Sequence, residues 1–131
     1  MLRVTVAIII LTPATIGTSQ AQTRPLTDTE KKIILSGYSD RLKDPSSAQY
    51  RWQNLVVNQP SMAKPDTLIY WFRANAKNSY GGYVGLQIVL GTVTQRKGTV
   101  VEYTYKMGAE SNPVMNDAAA KLCETAGYKF P

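Results

Sequence analysis

The segment GTVTQRKGTVVEYTYKM, residues 91–107, decides the fold class. Arg96-Lys97-Gly98 is typical of a tight turn, and it separates two runs that are rich in β-branched and aromatic residues. After the turn, apolar or aromatic residues occupy alternate positions from Val101 to Met107, which is the period of a strand with one buried face. The segment therefore predicts two antiparallel strands joined by a short turn.

Two further strands are predicted ahead of this pair. Residues 49–58 (QYRWQNLVVN) are rich in aromatic and β-branched types, and a similar run, LIYWFRA, follows Thr67. Residues 59–66 between them form a predicted loop. The strand that leads into the turn is predicted to begin at Tyr83, because apolar residues alternate from Val84 to Leu90.

A helix is predicted on each side of the four strands. Thr27 and Glu30 have the spacing of a capping box at the start of the first helix. Asn112 and Pro113 are typical of the start of the second helix, and Gly127 is placed to end it. This order predicts an α+β fold, a four-stranded antiparallel sheet with an N-terminal and a C-terminal helix packed on one side.

The first 21 residues predict an export signal. A basic start at Arg3 is followed by the apolar run VTVAIIIL and by small residues at Ser19 and Ala21, where a signal peptidase cleaves. The apolar run is shorter than the roughly 20 residues of a membrane-spanning helix, so no membrane anchor is expected after cleavage. The mature chain, residues 22–131, is expected to form a single α+β domain in the periplasm or outside the cell, with residues 22–26 as a tail.

The charge of the chain indicates which partners suit it. Its 131 residues include 15 Lys and Arg and 9 Asp and Glu, for a formal net charge of +6. Such a balance favours acidic partners. The basic residues are scattered from Arg24 to Lys129 without a dense block, which argues against nucleic acid as a partner.

The sequence lacks the residues on which most catalytic mechanisms depend. Histidine is absent, which excludes imidazole-based triads and most zinc sites. Ser61 and Lys64 match a serine-lysine catalytic pattern, but they lie between Pro60 and Pro65, in a loop too short for the helix that this chemistry needs. The sequence therefore predicts no catalytic residues, no metal site and no cofactor.

The glycine-rich segment NAKNSYGGYVG, residues 75–85, predicts a strand connection and a binding surface. Loops that hold phosphate open a helix, whereas this one opens a strand, so Asn, Ser and Gly fit a hairpin connection better. Its amides and aromatic rings, with an arginine from the preceding strand, also suit contact with a ligand. The candidate binding residues are Arg73, Asn75, Lys77, Asn78, Tyr80 and Tyr83.

Two segments, LKDPSSAQYRW (residues 42–52) and NAKNSYGGYVG (residues 75–85), resemble signatures of one protein family. They match the KDP-x-SA and N-x-KN-S-[FY]-GGY-x-G segments of an uncharacterised family of small exported bacterial proteins. The resemblance covers Leu42 to Leu90 and implies an exported location and a shared fold. Family members carry Cys-Gly where this chain has Trp71-Phe72, so the resemblance implies that Cys123 has lost a disulfide partner.

These observations favour a non-catalytic binding or interaction module of the bacterial cell envelope. Its expected partner is an envelope protein or a cell-envelope glycan. Cys123, the single cysteine, is either buried or paired with another chain, so a homo-oligomer remains open. The alternative is a carboxylate-dependent envelope hydrolase, which needs two carboxyl groups within about 10 Å in a cleft. Asp66 with Glu102 or Glu110 would supply them.

Overall fold

The structure is a computed structural model. It describes residues 7–14, 20–59, 64–83, 85–108 and 113–129. Several residues singled out from the sequence lie outside these ranges, namely Arg3, Ser19, Pro60, Ser61, Val84, Glu110 and Asn112.

Two helices and six strands make up the described part of the chain, which confirms the α+β class. The elements are β1 (Thr23–Arg24), α1 (Asp28–Tyr38), β2 (Gln49–Trp52), β3 (Leu55–Val56), β4 (Thr67–Asn75), β5 (Gln87–Arg96), β6 (Thr99–Gly108) and α2 (Pro113–Thr125). Short 3-10 turns at Ser39–Arg41 and Pro45–Ser47 connect α1 to β2. The predicted four-stranded antiparallel sheet has the order β2-β4-β5-β6, and β1 and β3 form a second antiparallel sheet. None of the helices in the described ranges is long and apolar enough to cross a bilayer.

The predicted hairpin of residues 91–107 is present, but its second strand departs from simple alternation. Lys97 and Gly98 form the two-residue turn with φ of 51° and 75°, the backbone that a hairpin turn of this length prefers. The pairing of β6 with β5 skips Val101, which is therefore a bulge. The bulge leaves Val101 43% exposed and brings Val100 into the core, so the predicted apolar face is wrong at this position.

The two faces of the sheet are covered by different elements. Tyr38 of α1 meets the ring of Phe72 edge-on, with the ring centroids 5.4 Å apart. Trp71 is adjacent to Phe72 in β4, so its side chain points to the opposite face. There it meets Tyr128, which follows α2, with the centroids 6.4 Å apart. The predicted packing of both helices on one side is therefore not confirmed: α1 covers the Phe72 face, and the segment after α2 covers the Trp71 face of β4, a strand that is largely buried on both sides.

Residues 22–26, predicted as a tail, belong to the fold. β1 pairs with β3, and Leu26 is buried. The predicted strand at residues 49–58 is correspondingly divided into β2 and β3. Between them, the Tyr70 hydroxyl accepts a hydrogen bond from the Gln53 backbone N at 3.2 Å and donates one to the Gln53 backbone O at 2.9 Å. The Tyr70 side chain thus makes the hydrogen bonds that a neighbouring strand would make to Gln53. The paired strand ends there, and β3 pairs with β1 instead.

The N-terminal strand is fixed to the rest of the domain by a buried ion pair. Arg24 donates to both carboxylate oxygens of Glu30 at 2.8 and 2.7 Å, and Glu30 is only 1% exposed. The carboxylate also accepts the backbone N of Thr27 at 3.0 Å, which confirms the capping box, and that of Val100 at 2.8 Å. The bonds from Arg24, with those of the two backbone amides, hold the pKa of Glu30 down to about 2. One carboxylate therefore joins β1, α1 and β6.

Cys123 is a buried free thiol. Its residue is 0% exposed, and burial, with a smaller contribution from Glu124, raises its pKa to about 12. A protonated thiol without access to solvent is a poor nucleophile for disulfide exchange. The structure therefore favours burial over pairing of Cys123 with a second chain.

Candidate functional site

The two segments singled out from the sequence, residues 42–52 and 75–85, meet at one end of the four-stranded sheet. Gln49 at the start of β2 lies opposite Asn75 at the end of β4. Beyond this pair, the backbone N of Lys77 donates to the Ser47 hydroxyl at 3.0 Å. The Tyr83 hydroxyl donates to the Ser47 backbone O, also at 3.0 Å. We call residues 45–47 and 75–83 together the loop edge.

The tip of the loop edge is a closed turn built around Asn78. Its side-chain oxygen accepts the backbone N of Tyr80 at 2.9 Å and that of Gly82 at 3.2 Å. The Asn78 backbone N donates to Gly82 O at 2.9 Å, and its carbonyl accepts Gly81 N at 3.1 Å. Gly81 has a φ of 79°, a conformation that glycine adopts without strain. The predicted hairpin connection is therefore confirmed, and its shape is set by four local hydrogen bonds.

This turn presents an aromatic side chain to solvent. Tyr80 is 97% exposed, the most exposed large hydrophobic side chain in the described part of the protein. Behind it, Lys77 and Tyr83 pair across the loop, and the Lys77 ammonium lies 5.7 Å from the centre of the Tyr83 ring. At this distance a cation is attracted to the ring face. The loop edge therefore offers a protruding phenol next to a positive charge.

The base of the loop edge explains why β5 starts later than predicted. The side-chain oxygen of Asn75 accepts the backbone N of Gly85 at 3.1 Å, where a neighbouring strand would otherwise supply the acceptor. Gly85 has a φ of 95°, which is outside the range of a regular strand. The strand consequently begins at Gln87 instead of Tyr83.

Arg73 lies further into the sheet than the other five candidate residues, and it shares a face of β4 with Asn75. It is within β4, on the face of Trp71, and its guanidinium carbon is 5.7 Å from the centre of the Trp71 ring. Its cross-strand neighbour is Arg51 of β2. Arg51 was not among the predicted site residues, since the register of two strands separated by a long loop cannot be read from their local patterns. The remaining candidates, Asn75, Lys77, Asn78, Tyr80 and Tyr83, are together in the loop edge.

The carboxylates considered for a hydrolase are elsewhere. Asp66 is in the turn before β4. Glu102 is in β6, two strands from β4, and it is aligned across the sheet with Thr67, the first residue of β4. Both are at the end of the sheet opposite the loop edge, so they do not meet beside the glycine-rich loop. Glu110 lies outside the described residues. Within the described ranges, no group of three or more His, Cys, Asp or Glu side chains is close enough to hold a metal ion.

A cleft of about 540 Å³ lies between the N-terminal strand and the end of α2. Its walls include Trp52, Tyr128 and Lys129, and none of the six predicted binding residues contributes to it. Ala21 also lines the cleft, so cleavage after that residue would change its shape. The cleft and the predicted site are therefore different places on the molecule.

Comparison of the chain with protein-family models, with curated proteins and with solved structures finds no match. The resemblance of residues 42–52 and 75–85 to a family of exported proteins stays a prediction.

Proposed function

We propose that this protein is a non-catalytic binding module of the bacterial cell envelope, in the periplasm or secreted, and that the loop edge is its contact surface. The observation that carries this proposal is the 97% exposure of Tyr80 on a turn that four hydrogen bonds hold in shape. Exposing a large aromatic ring to water is unfavourable unless a partner covers it. A preorganised loop also loses little conformational entropy when it binds.

An exported location is supported by the contrast between residues 7–14 and the strand that follows. Ile8, Ile9, Ile10 and Leu11 are 80–86% exposed, so this apolar run packs against nothing in the described part of the domain. By contrast, Gln22 is attached to the fold, because its backbone O accepts Val57 N at 2.8 Å. The Gln20 backbone O also accepts the Asn58 side-chain N at 2.8 Å, so the change from an unpacked apolar segment to attached chain lies within a few residues of the proposed cleavage after Ala21.

The shape of the loop edge favours an envelope protein over a cell-envelope glycan as the partner. Small ligands are usually bound in concave sites, whereas Tyr80 projects from the surface. A projecting tyrosine fits a pocket in a second protein, and tyrosine is enriched among the residues that dominate protein interfaces. Lys77 and the net charge of +6 favour an acidic surface around that pocket.

Replacing Tyr80 with alanine is expected to reduce partner binding by at least about tenfold, the effect of losing one central aromatic contact. The substitution leaves the turn intact, since only the Tyr80 backbone takes part in its hydrogen bonds. The measurement is capture from a bacterial envelope extract on the immobilised mature domain, followed by identification of the retained proteins and glycans.

The matched control is Val57→Ala, which shortens an exposed apolar side chain outside the loop edge. A genuine partner is retained by the wild type and by Val57→Ala, and it is lost by Tyr80→Ala. Equal retention by all three proteins would remove the loop edge as the contact surface. Retention of a glycan that depends on Tyr80 would keep the surface and change the class of partner.

A further inference from the structure

Two arginines face each other across β2 and β4 without a compensating acid. Arg51 and Arg73 are direct cross-strand partners, so their Cβ atoms are about 5 Å apart on the same face. Like charges in this position destabilise a sheet. Among the described residues, neither guanidinium forms an ion pair or a hydrogen bond. The fold therefore carries an unfavourable pair of charges that no acidic side chain in the described part of the domain neutralises.

The next cross-strand pair on the same face adds two amide side chains. Gln49 lies opposite Asn75, and each is two residues from one of the arginines. Asn75 uses its side-chain oxygen to accept Gly85 N, so its NH2 group is left as a donor. We call Gln49, Arg51, Arg73 and Asn75 the arginine patch. Its four positions on two adjacent strands include no acid.

Solvent reaches this patch, and one of its arginines is already positioned. Gln49 and Arg51 are exposed, and Arg73 and Asn75 are half-buried. The Arg73 guanidinium lies near the Trp71 ring, which restricts its movement while its N–H groups stay available. A ligand that brings negative charge would therefore meet donors that the sheet holds at a fixed spacing.

We propose that the arginine patch binds a phosphate group. Two guanidinium groups supply a charge of +2, which matches a phosphate dianion, and their forked N–H groups match its several oxygens. A carboxylate has two oxygens and is satisfied by a single guanidinium, so it makes less use of the pair. The site goes beyond the proposed function, because its two arginines lie outside the loop edge and its ligand is not a protein; Asn75 is the one residue that the two surfaces share. The phosphate belongs either to a small solute or to a lipid headgroup.

Titration of the purified mature domain with inorganic phosphate tests the proposal, with chloride at equal ionic strength as the reference. We expect saturable changes in the backbone NMR signals of Arg51, Arg73 and Asn75. The double variant Arg51→Gln with Arg73→Gln is expected to bind at least tenfold more weakly. The control is Arg96→Gln with Lys106→Gln, which removes the same charge from exposed positions elsewhere and is expected to bind within about twofold of wild type.

A stability measurement separates a binding role from a structural one. Without phosphate and at low salt, the single variant Arg51→Gln is expected to melt at a higher temperature than wild type, because it removes the repulsion. This increase in melting temperature over wild type is expected to become smaller as salt is added, because salt screens the repulsion. Phosphate is expected to raise the melting temperature of the wild type and to leave that of the double variant unchanged. A lower melting temperature of Arg51→Gln at low salt would overturn the proposal, as would equal loss of phosphate binding in the double variant and its control.

Vesicles identify the source of the phosphate. Co-sedimentation with phosphatidylcholine vesicles that contain phosphatidic acid, but not with phosphatidylcholine alone, assigns the patch to a phosphomonoester headgroup if the double variant abolishes it. Absence of co-sedimentation together with saturable binding of inorganic phosphate assigns it to small solutes. Absence of binding in both experiments contradicts the proposal. Because Tyr80 is not in the patch, this result is independent of the capture experiment.

Discussion

Replacing Arg24 with alanine is expected to lower the free energy of unfolding by about 3–5 kcal/mol, because it leaves a buried carboxylate without its cation. Glu30 is 1% exposed, and Arg24 contacts both of its oxygens. Arg24 also donates to the backbone O of Gly98 at 3.0 Å, so its loss also frees the turn between β5 and β6. Chemical denaturation at neutral pH measures the difference.

The matched control is Arg96→Ala, which removes an exposed arginine from the end of β5. We expect it to change the free energy of unfolding by less than about 0.5 kcal/mol. Similar losses for Arg24→Ala and Arg96→Ala would show that net charge, and not the buried pair, determines the effect.

The pH dependence of stability follows from the same carboxylate. The pKa of Glu30 falls from an ordinary value of 4.5 to about 2 in the folded protein. A lowered folded-state pKa gives stability that is fully present above pH 4.5 and is lost as the pH falls toward 2. Removing Arg24 removes the largest cause of the lowered pKa, so the variant is expected to lose less of its remaining stability in this interval. Denaturation curves at several values between pH 5 and 2 test this difference.

Replacing Gly91 with alanine is expected to lower the free energy of unfolding by about 3 kcal/mol, the upper part of the range for an overfilled core. A Cβ at this position would lie 2.5 Å from the backbone O of Thr104 and 2.5 Å from a ring carbon of Tyr103. The backbone of a paired strand cannot move away as the end of a flexible side chain can. The β5–β6 pairing would therefore have to separate locally.

The control for this substitution is Gly82→Ala. The nearest atom to a Cβ there is the Asn78 side-chain oxygen at 3.9 Å, an ordinary contact distance. We expect the stability of Gly82→Ala to stay within about 0.5 kcal/mol of wild type. A stable Gly91→Ala protein with wild-type melting would contradict the close approach of β5 and β6.

Local patterns in the sequence predicted the elements whose causes are local. The capping box of Thr27 and Glu30 needs only residues three positions apart, and the turn at Lys97 and Gly98 needs only a backbone that glycine favours. The apolar alternation failed at Val101, where a bulge in β6 changes which side chains face the core. A bulge depends on the partner strand, so the sequence of β6 alone does not reveal it.

Contacts between distant segments were the part that the sequence did not predict. Arg24 and Glu30 are close in the chain, but the pairing of β1 with β3 brings together residues more than 30 positions apart. Ser47 and Lys77, whose hydrogen bond joins the two halves of the loop edge, are 30 positions apart. Five of the six candidate binding residues lie together because they belong to one short segment, residues 75–83. Arg73 shares a face of β4 with Asn75, as their spacing in the sequence predicts, but its contact with Arg51 was not predicted, because strand register decides that neighbour.

The central claim is that the loop edge is a binding surface already formed in the free protein. The most direct test is ¹⁵N relaxation of the backbone amides of residues 77–82 in the unbound mature domain. Hydrogen bonds from the backbone N of Tyr80 and Gly82 to the Asn78 side-chain oxygen, and from Lys77 N to the Ser47 hydroxyl, predict order parameters of about 0.85, as in a rigid sheet. Values below about 0.6 would show a flexible loop and contradict the claim.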